Sequence, residues 1–183
     1  MPAGRHRVAD RGAAREYIAS SMCFSGLLFA LIYGIQGRWI DVAVLLLVGL
    51  GQVVAFLCFR HGHARAVTSL IMLVAGVSAA EQVYSSIWWW DLLIHFLCTY
   101  VLVWIAWNYA LRRSPELGRL SRGQRLMMCA ITGLVLAVVW EVMELLGFLL
   151  VTPDIHIPPL DTLSDVTVGV LGAALVALHR KSR

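Results

Sequence analysis

Residues 126–150 read LMMCAITGLVLAVVWEVMELLGFLL, an apolar run in which the only charged side chains are Glu141 and Glu144. About 20 predominantly apolar residues in a helix are enough to cross the hydrocarbon core of a bilayer. The run therefore predicts a membrane-spanning helix. Because charged side chains are costly in hydrocarbon, the two glutamates raise the question of what they face.

The rest of the chain has the same apolar character. Of its 183 residues, 60% are hydrophobic and 14% are charged, whereas a soluble domain has about 45–50% and about 25%. We predict an all-α fold: a polytopic membrane helix bundle with six transmembrane helices. The predicted spans are 18–35, 40–59, 66–86, 91–111, 126–150 and 161–178. They make one transmembrane domain, 18–178, between a tail at 1–17 and a tail at 179–183.

Lysine and arginine are distributed unevenly along this threading. If the six helices alternate in direction, all of the 15 basic residues except Arg38 fall on one side. Cytoplasmic loops are enriched in basic residues, so both termini are predicted to be cytoplasmic. The first span follows a basic tail but no A-x-A-like cleavage site, and it is predicted to be an uncleaved helix. The net charge of +4 is then explained by this pattern and by anionic lipid headgroups, without nucleic-acid binding.

Acidic residues show the opposite distribution, because eight of the 11 thread to the outer half of the bundle or to the outer loops. Asp91 and His95, Glu141 and Glu144, and Asp161 and Asp165 are spaced so that each pair shares one helix face. At about 1.5 Å of rise per residue, the pairs lie at similar depths in the outer leaflet. Each face is therefore expected to point toward the others or toward a wet cavity.

Carboxylates gathered around one imidazole suit a divalent metal cation. Zn²⁺ and Mn²⁺ fit these ligands, and Mg²⁺ and Ca²⁺ fit them less well. The predicted metal ligands are Asp91, His95, Glu144, Asp161 and Asp165. Glu141, the deepest carboxylate, is the predicted general base, and Glu81 and His156 are predicted to line the site.

Simpler interpretations of some of these residues stay open. Asp91 and Asp161 stand where predicted helices begin, and an aspartate there can cap the helix. His95 alone would also fit a hydrogen-bonded core histidine. The tryptophans at 88–90 are typical of the aromatic belt at a membrane interface.

Two sets of small residues have structural interpretations. Gly169 and Gly172 are typical of close contact between membrane helices. The four cysteines are scattered one per apolar segment. This spacing predicts buried, unpaired thiols rather than a disulfide framework or a thiolate metal site.

The ordered motifs D-x3-H-F, W-E-x2-E and D-T-x2-D-x6-G-A resemble those of small bacterial VanZ-like and YjdF-like membrane proteins. The matching residues, within roughly residues 88–175, are Asp91, His95, Phe96, Trp140, Glu141, Glu144, Asp161, Thr162, Asp165, Gly172 and Ala173. The chain departs at Leu92, where VanZ-like proteins often have lysine, and at Gly169, where both families tend to have asparagine. The resemblance implies a bacterial cytoplasmic membrane and a shared polar site, without naming a reaction.

Three classes of function fit these observations. The first is a metal-dependent hydrolase or transferase that acts on a lipid or lipid-linked substrate from the outer leaflet. The second is a proton- or ion-coupled transporter, although the cytoplasmic halves of the predicted helices hold almost no titratable residues. The third is a non-catalytic envelope or resistance accessory protein. Membrane lipids are the expected partners in each case, and a homo-oligomer stays open.

Overall fold

The structure is a computed structural model that describes residues 14, 16–152 and 161–179. Within these residues every element of regular secondary structure is a helix, which confirms the all-α prediction. The chain divides into two compact units at the junction between Glu81 and Gln82. Each unit is described below by itself.

In its described residues, the first unit contains a broken helix followed by two long ones. Its helices are α1 (Glu16–Met22), α2 (Ser25–Ile35), α3 (Trp39–Cys58) and α4 (Gly62–Ala80). The axes of α1 and α2 meet at a bend of 43°. Helix α3 packs against both α2 and α4.

The buried side chain of Gln52, on α3, hydrogen-bonds the first turn of α2, just after the break. Its Oε1 accepts the backbone N–H of Gly26 at 2.8 Å, and its Nε2 donates to Ser25 Oγ at 2.9 Å and to the Ser69 carbonyl at 3.0 Å. The first N–H groups of a helix have no acceptor within the helix, and an apolar environment offers no water to replace it. Gln52 therefore supplies part of the hydrogen bonding that the break removes.

The described residues of the second unit form five helices. They are α5 (Val83–Ser86), α6 (Trp90–Arg113), a 3₁₀ helix (Pro115–Arg119), α7 (Arg122–Leu150) and α8 (Asp161–Val176). Ser121 and Gln124 start α7 with a capping box, in which each side chain bonds the other residue's backbone N–H. Helix α6 packs against both α7 and α8.

Small residues bring α8 close to its neighbours. A Cβ atom at Gly172 would clash with the carbonyl oxygen of Phe96 on α6, and one at Gly169 would lie 3.0 Å from Thr99 Oγ1. The backbones of α6 and α8 therefore approach more closely than larger side chains would allow, as these glycines predict. All four cysteines are buried and free, which also agrees with the sequence prediction.

The helices agree with the predicted spans except near their ends and within the first span, 18–35, which the 43° bend divides into α1 and α2. A further difference is at 66–86, where α4 begins at Gly62 and ends at Ala80. Gln82 has a left-handed φ of 56°, and non-glycine residues adopt this conformation singly rather than within a helix. Glu81 therefore lies at the end of α4 and not inside a longer helix.

The described helices support a multi-pass membrane protein. Four of them, α3, α4, α6 and α7, are long and apolar enough to span a membrane, and the bent pair α1–α2 makes a fifth if it is one span. Helix α8 has 16 residues, or about 24 Å at helical rise. The hydrocarbon core is about 30 Å thick, so the sixth span stays a prediction.

Large apolar side chains cover the outside of these helices. Leu31, Leu57 and Leu150 are 63%, 67% and 77% exposed. Such surfaces are unfavourable in water and favourable in hydrocarbon. A lipid environment therefore accounts for the side chains that the two units leave uncovered.

Candidate functional site

His95 lies at the centre of the candidate site, in the second turn of α6. Its side chain is only 4% exposed, and its Nε2 lies 3.4 Å from Oδ1 of Asp91, one turn earlier. The N-cap residue of α6 is Trp89, with no side-chain cap hydrogen bond. Asp91 is therefore not the cap of this helix, and its carboxylate approaches the imidazole instead.

Glu141 and Glu144 reach His95 from α7, and they approach different ring nitrogens. Oε1 of Glu141 lies 3.8 Å from Nδ1, and Oε1 of Glu144 lies 3.9 Å from Nε2. The Glu141 side chain is 9% exposed and that of Glu144 is 29% exposed. Among the described residues, Oε1 of Glu141 has no hydrogen-bond partner although it is buried.

Asp165 joins the cluster from the second turn of α8, where it is fully buried. One of its carboxylate oxygens and single ligand atoms of Asp91 and His95 all lie within 4.8 Å of one another. The same holds for His95, Glu141 and Glu144. These five residues form two overlapping sets of potential cation ligands that share His95.

The structure thus brings together five of the eight residues that the sequence selects: Asp91, His95, Glu141, Glu144 and Asp165. Asp161 is the first residue of α8, but its side chain lies outside the described residues, as does all of His156. The predictions that Asp161 is a ligand and that His156 lines the site therefore stay predictions.

Glu81 has charged and polar partners within the first unit. Its Oε1 accepts hydrogen bonds from the Tyr33 hydroxyl at 2.7 Å and from Arg38 Nη1 at 2.8 Å. Arg38 also pairs with Asp41 at 2.6 Å. The Tyr33 hydrogen bond, followed by that of Arg38, lowers the pKa of Glu81. Glu81 and Asp41 are therefore both ion-paired with Arg38, and the part of Glu81 in lining the site stays a prediction.

Trp140 is a site residue to which the sequence assigned no role. Its Nε1 donates a hydrogen bond to Oε1 of Glu144 at 2.8 Å, and its ring meets His95 edge to face, with centroids 5.9 Å apart. The i,i+4 spacing of Trp140 and Glu144 was the available signal, because residues so spaced are neighbours on a helix. Trp140 therefore hydrogen-bonds the Glu144 carboxylate and packs against one side of the His95 imidazole.

A cavity of about 10 Å³ lies beside the Trp140 ring and is lined by His95, Thr99, Trp140 and apolar side chains. That volume admits about one water molecule. Among the described residues, the cluster contributes only His95 to the lining of this cavity. What it can do chemically is hold a small cation, or hold and pass protons among its carboxylates and imidazole.

Comparison with known families gives a match over almost the whole chain. The family model described as "Predicted membrane protein (DUF2238)" matches residues 17–181. None of the curated proteins and none of the solved structures matches the chain. The family description gives the membrane location and names no activity.

Proposed function

The chain belongs to the DUF2238 family of predicted membrane proteins, and we propose that its bundle binds one divalent cation beside His95. The observation that carries this proposal is the gathering of four carboxylates around the single buried imidazole of His95. Burying a charge is costly unless it is paired or coordinates a metal. A cation would neutralise the carboxylates that gather here.

Interatomic distances support a small ion. Ligand atoms about 2.1 Å from a tetrahedral Zn²⁺ are about 3.4 Å from one another. Nε2 of His95 lies 3.4 Å from Oδ1 of Asp91, and one atom each of Asp91, His95 and Asp165 lie within 4.8 Å of one another, so side-chain shifts would bring one nitrogen and two carboxylate oxygens toward that spacing. Imidazole nitrogen and carboxylate oxygen are ligands that suit Zn²⁺ and Mn²⁺.

A cation held here would supply hydrolase or transferase chemistry to a lipid or lipid-linked substrate. It would activate a water molecule or polarise a phosphoryl or acyl oxygen, and a carboxylate would accept the proton, the step for which the sequence predicts Glu141. The proposal includes six spans in a bacterial cytoplasmic membrane, with both termini cytoplasmic. The site then opens to the outer leaflet.

A proton- or ion-coupled transporter is the second candidate, favoured by the break between α1 and α2. Discontinuous helices form the ion and substrate sites of many secondary transporters. Ion flux into proteoliposomes would separate the two: flux that Glu141→Gln abolishes favours transport. A cation that only stabilises a non-catalytic accessory protein would produce neither flux nor turnover.

Metal analysis of the full chain, purified in detergent without chelators, tests the cation site. We expect about one Zn²⁺ or Mn²⁺ per chain, lost in His95→Ala and in Glu144→Gln. Glu116→Gln is the matched control, since it removes an exposed carboxylate from the 3₁₀ helix. Folded wild-type protein that contains no metal, and takes up none when Zn²⁺ or Mn²⁺ is added, would exclude the site.

A further inference from the structure

The two glutamates of α7 divide between the two nitrogens of His95. Glu144 and Asp91 both lie nearest Nε2, whereas Glu141 lies nearest Nδ1. From this division we infer that Glu141 is a positioning residue: it accepts the Nδ1 proton of His95, so that Nε2 faces the cation. The inference rests on the proposed cation site and gives Glu141 a part different from that of Asp91 and Glu144.

A neutral imidazole has one N–H group and one nitrogen with a free lone pair. Only the lone-pair nitrogen can bind a metal, and the hydrogen bond made by the other nitrogen determines which one that is. A cation at Nε2 would have Asp91 and Glu144 beside it, from α6 and α7. A cation at Nδ1 would have Glu141 as its near carboxylate. Two carboxylates are thus nearest Nε2 and one is nearest Nδ1, which favours a cation at Nε2.

The exposed fractions of the side chains also set Glu141 apart from Asp91 and Glu144. The side chain of Glu141 is 9% exposed, against 24% for Asp91 and 29% for Glu144. Ligands of a cation that also binds water or substrate must be partly accessible from outside the bundle, whereas a carboxylate that only positions the histidine can be enclosed. Oε1 of Glu141 needs to move by less than about 1 Å from its 3.8 Å separation to reach hydrogen-bond length with Nδ1.

A carboxylate that holds the far nitrogen of a metal-bound histidine fixes the ring orientation and raises the basicity of the ligand. Glu141 engaged in this way does not accept a proton from cation-bound water. The inference therefore replaces the general-base role with a positioning role, and it leaves proton acceptance to a group on the Nε2 side.

Titration of the full chain in detergent with Co²⁺, followed by its ligand-field absorption, tests the assignment. Wild-type protein is expected to bind one Co²⁺, and Glu144→Gln and His95→Ala are expected to lose it. Glu141→Ala should keep one Co²⁺ with an affinity about 10–100-fold lower, as for other residues that orient ligands. Glu141→Gln, which retains an acceptor oxygen without the charge, should fall between wild type and Glu141→Ala.

The outcomes distinguish this inference from the proposed site. Wild-type protein that binds no Co²⁺ contradicts the site itself. If wild type binds but Glu141→Gln loses Co²⁺ as completely as Glu144→Gln, Glu141 is a ligand and the positioning role is wrong. Wild-type affinity in Glu141→Ala also overturns it. Circular dichroism of each variant checks that the helices have formed.

Nitrogen-15 NMR of histidine-labelled, Zn²⁺-loaded protein gives a readout that a merely structural role would not change. The His95 signals, assigned by their loss in His95→Ala, should show metal at Nε2 and a proton at Nδ1. In Glu141→Ala the Nδ1 proton should exchange faster with solvent, because its acceptor is gone. Metal bound at Nδ1 in the wild-type protein would contradict the assignment.

Discussion

Glu81 shows how a single carboxylate is held at the end of a membrane helix. Tyr33 and Arg38 both donate to its Oε1, and Arg38 is shared with Asp41 and with the Ala80 carbonyl. These contacts favour the ionised form, so the pKa of Glu81 lies below the ordinary value of 4.5, mainly through the Tyr33 hydrogen bond. The charge of Glu81 is therefore linked to the folded state of its unit.

Acid should remove this contribution to stability. A carboxyl group whose pKa is lower in the folded than in the unfolded state stabilises the fold above the unfolded pKa. The contribution disappears as the pH falls from about 4.5 through the lowered folded value. At neutral pH we expect a lower thermal midpoint for Glu81→Gln than for wild type, and the gap should close in acid. A gap that is constant with pH would contradict the prediction, and Glu116→Gln serves as the exposed-carboxylate control.

Sequence spacing could predict the site cluster residue by residue, but it could not predict every partner. Asp91, His95, Glu141 and Glu144 were predictable because pairs three or four residues apart share a helix face. Tyr33 and Arg38 are 48 and 43 residues from Glu81 along the chain, and no local periodicity joins positions so far apart. The contacts of Trp140 could not be predicted for a different reason: an interfacial or core position explains a tryptophan in such a sequence equally well.

At the scale of elements, the close approach of α8 to α6 brings Asp165 to His95. The sequence indicated this contact through Gly169 and Gly172, but the closeness of the backbones appears only in the structure. Gly172 has no room for a side chain beside the carbonyl of Phe96. Packing on one face of α8 and ligand geometry in its second turn are therefore coupled.

Gly172→Ala should displace α8 and weaken the site together. An added methyl in a tightly packed place costs about 1–3 kcal/mol, so the thermal midpoint in detergent should fall. Because Asp165 moves with α8, Co²⁺ affinity should fall as well. Gly123→Ala, at the start of α7, is the matched control because its Cβ would meet nothing within 4 Å. If the Gly172→Ala protein had the same thermal midpoint and the same Co²⁺ affinity as that control, the coupling would be disproved.

At the scale of the whole molecule, the distribution of arginine and lysine predicts a topology that the helix lengths leave open. Helices α3, α4, α6 and α7 are long enough to span, whereas α1–α2 is broken and α8 is short. Six spans require both of these weaker elements to cross. Position 36 is then outside the cell, and positions 116 and 182 are inside.

Single cysteines at these positions test the threading. In intact cells, a membrane-impermeant maleimide should label Gln36→Cys, and it should label Glu116→Cys and Ser182→Cys only after permeabilisation. The parent chain is the control, because its four native cysteines are buried and should react little. Labelling of Ser182→Cys from outside, with Glu116→Cys protected, would mean that α8 does not cross and that five spans carry the site. Labelling of Glu116→Cys from outside would overturn the orientation itself, since the arginine-rich connection between α6 and α7 would then be exoplasmic.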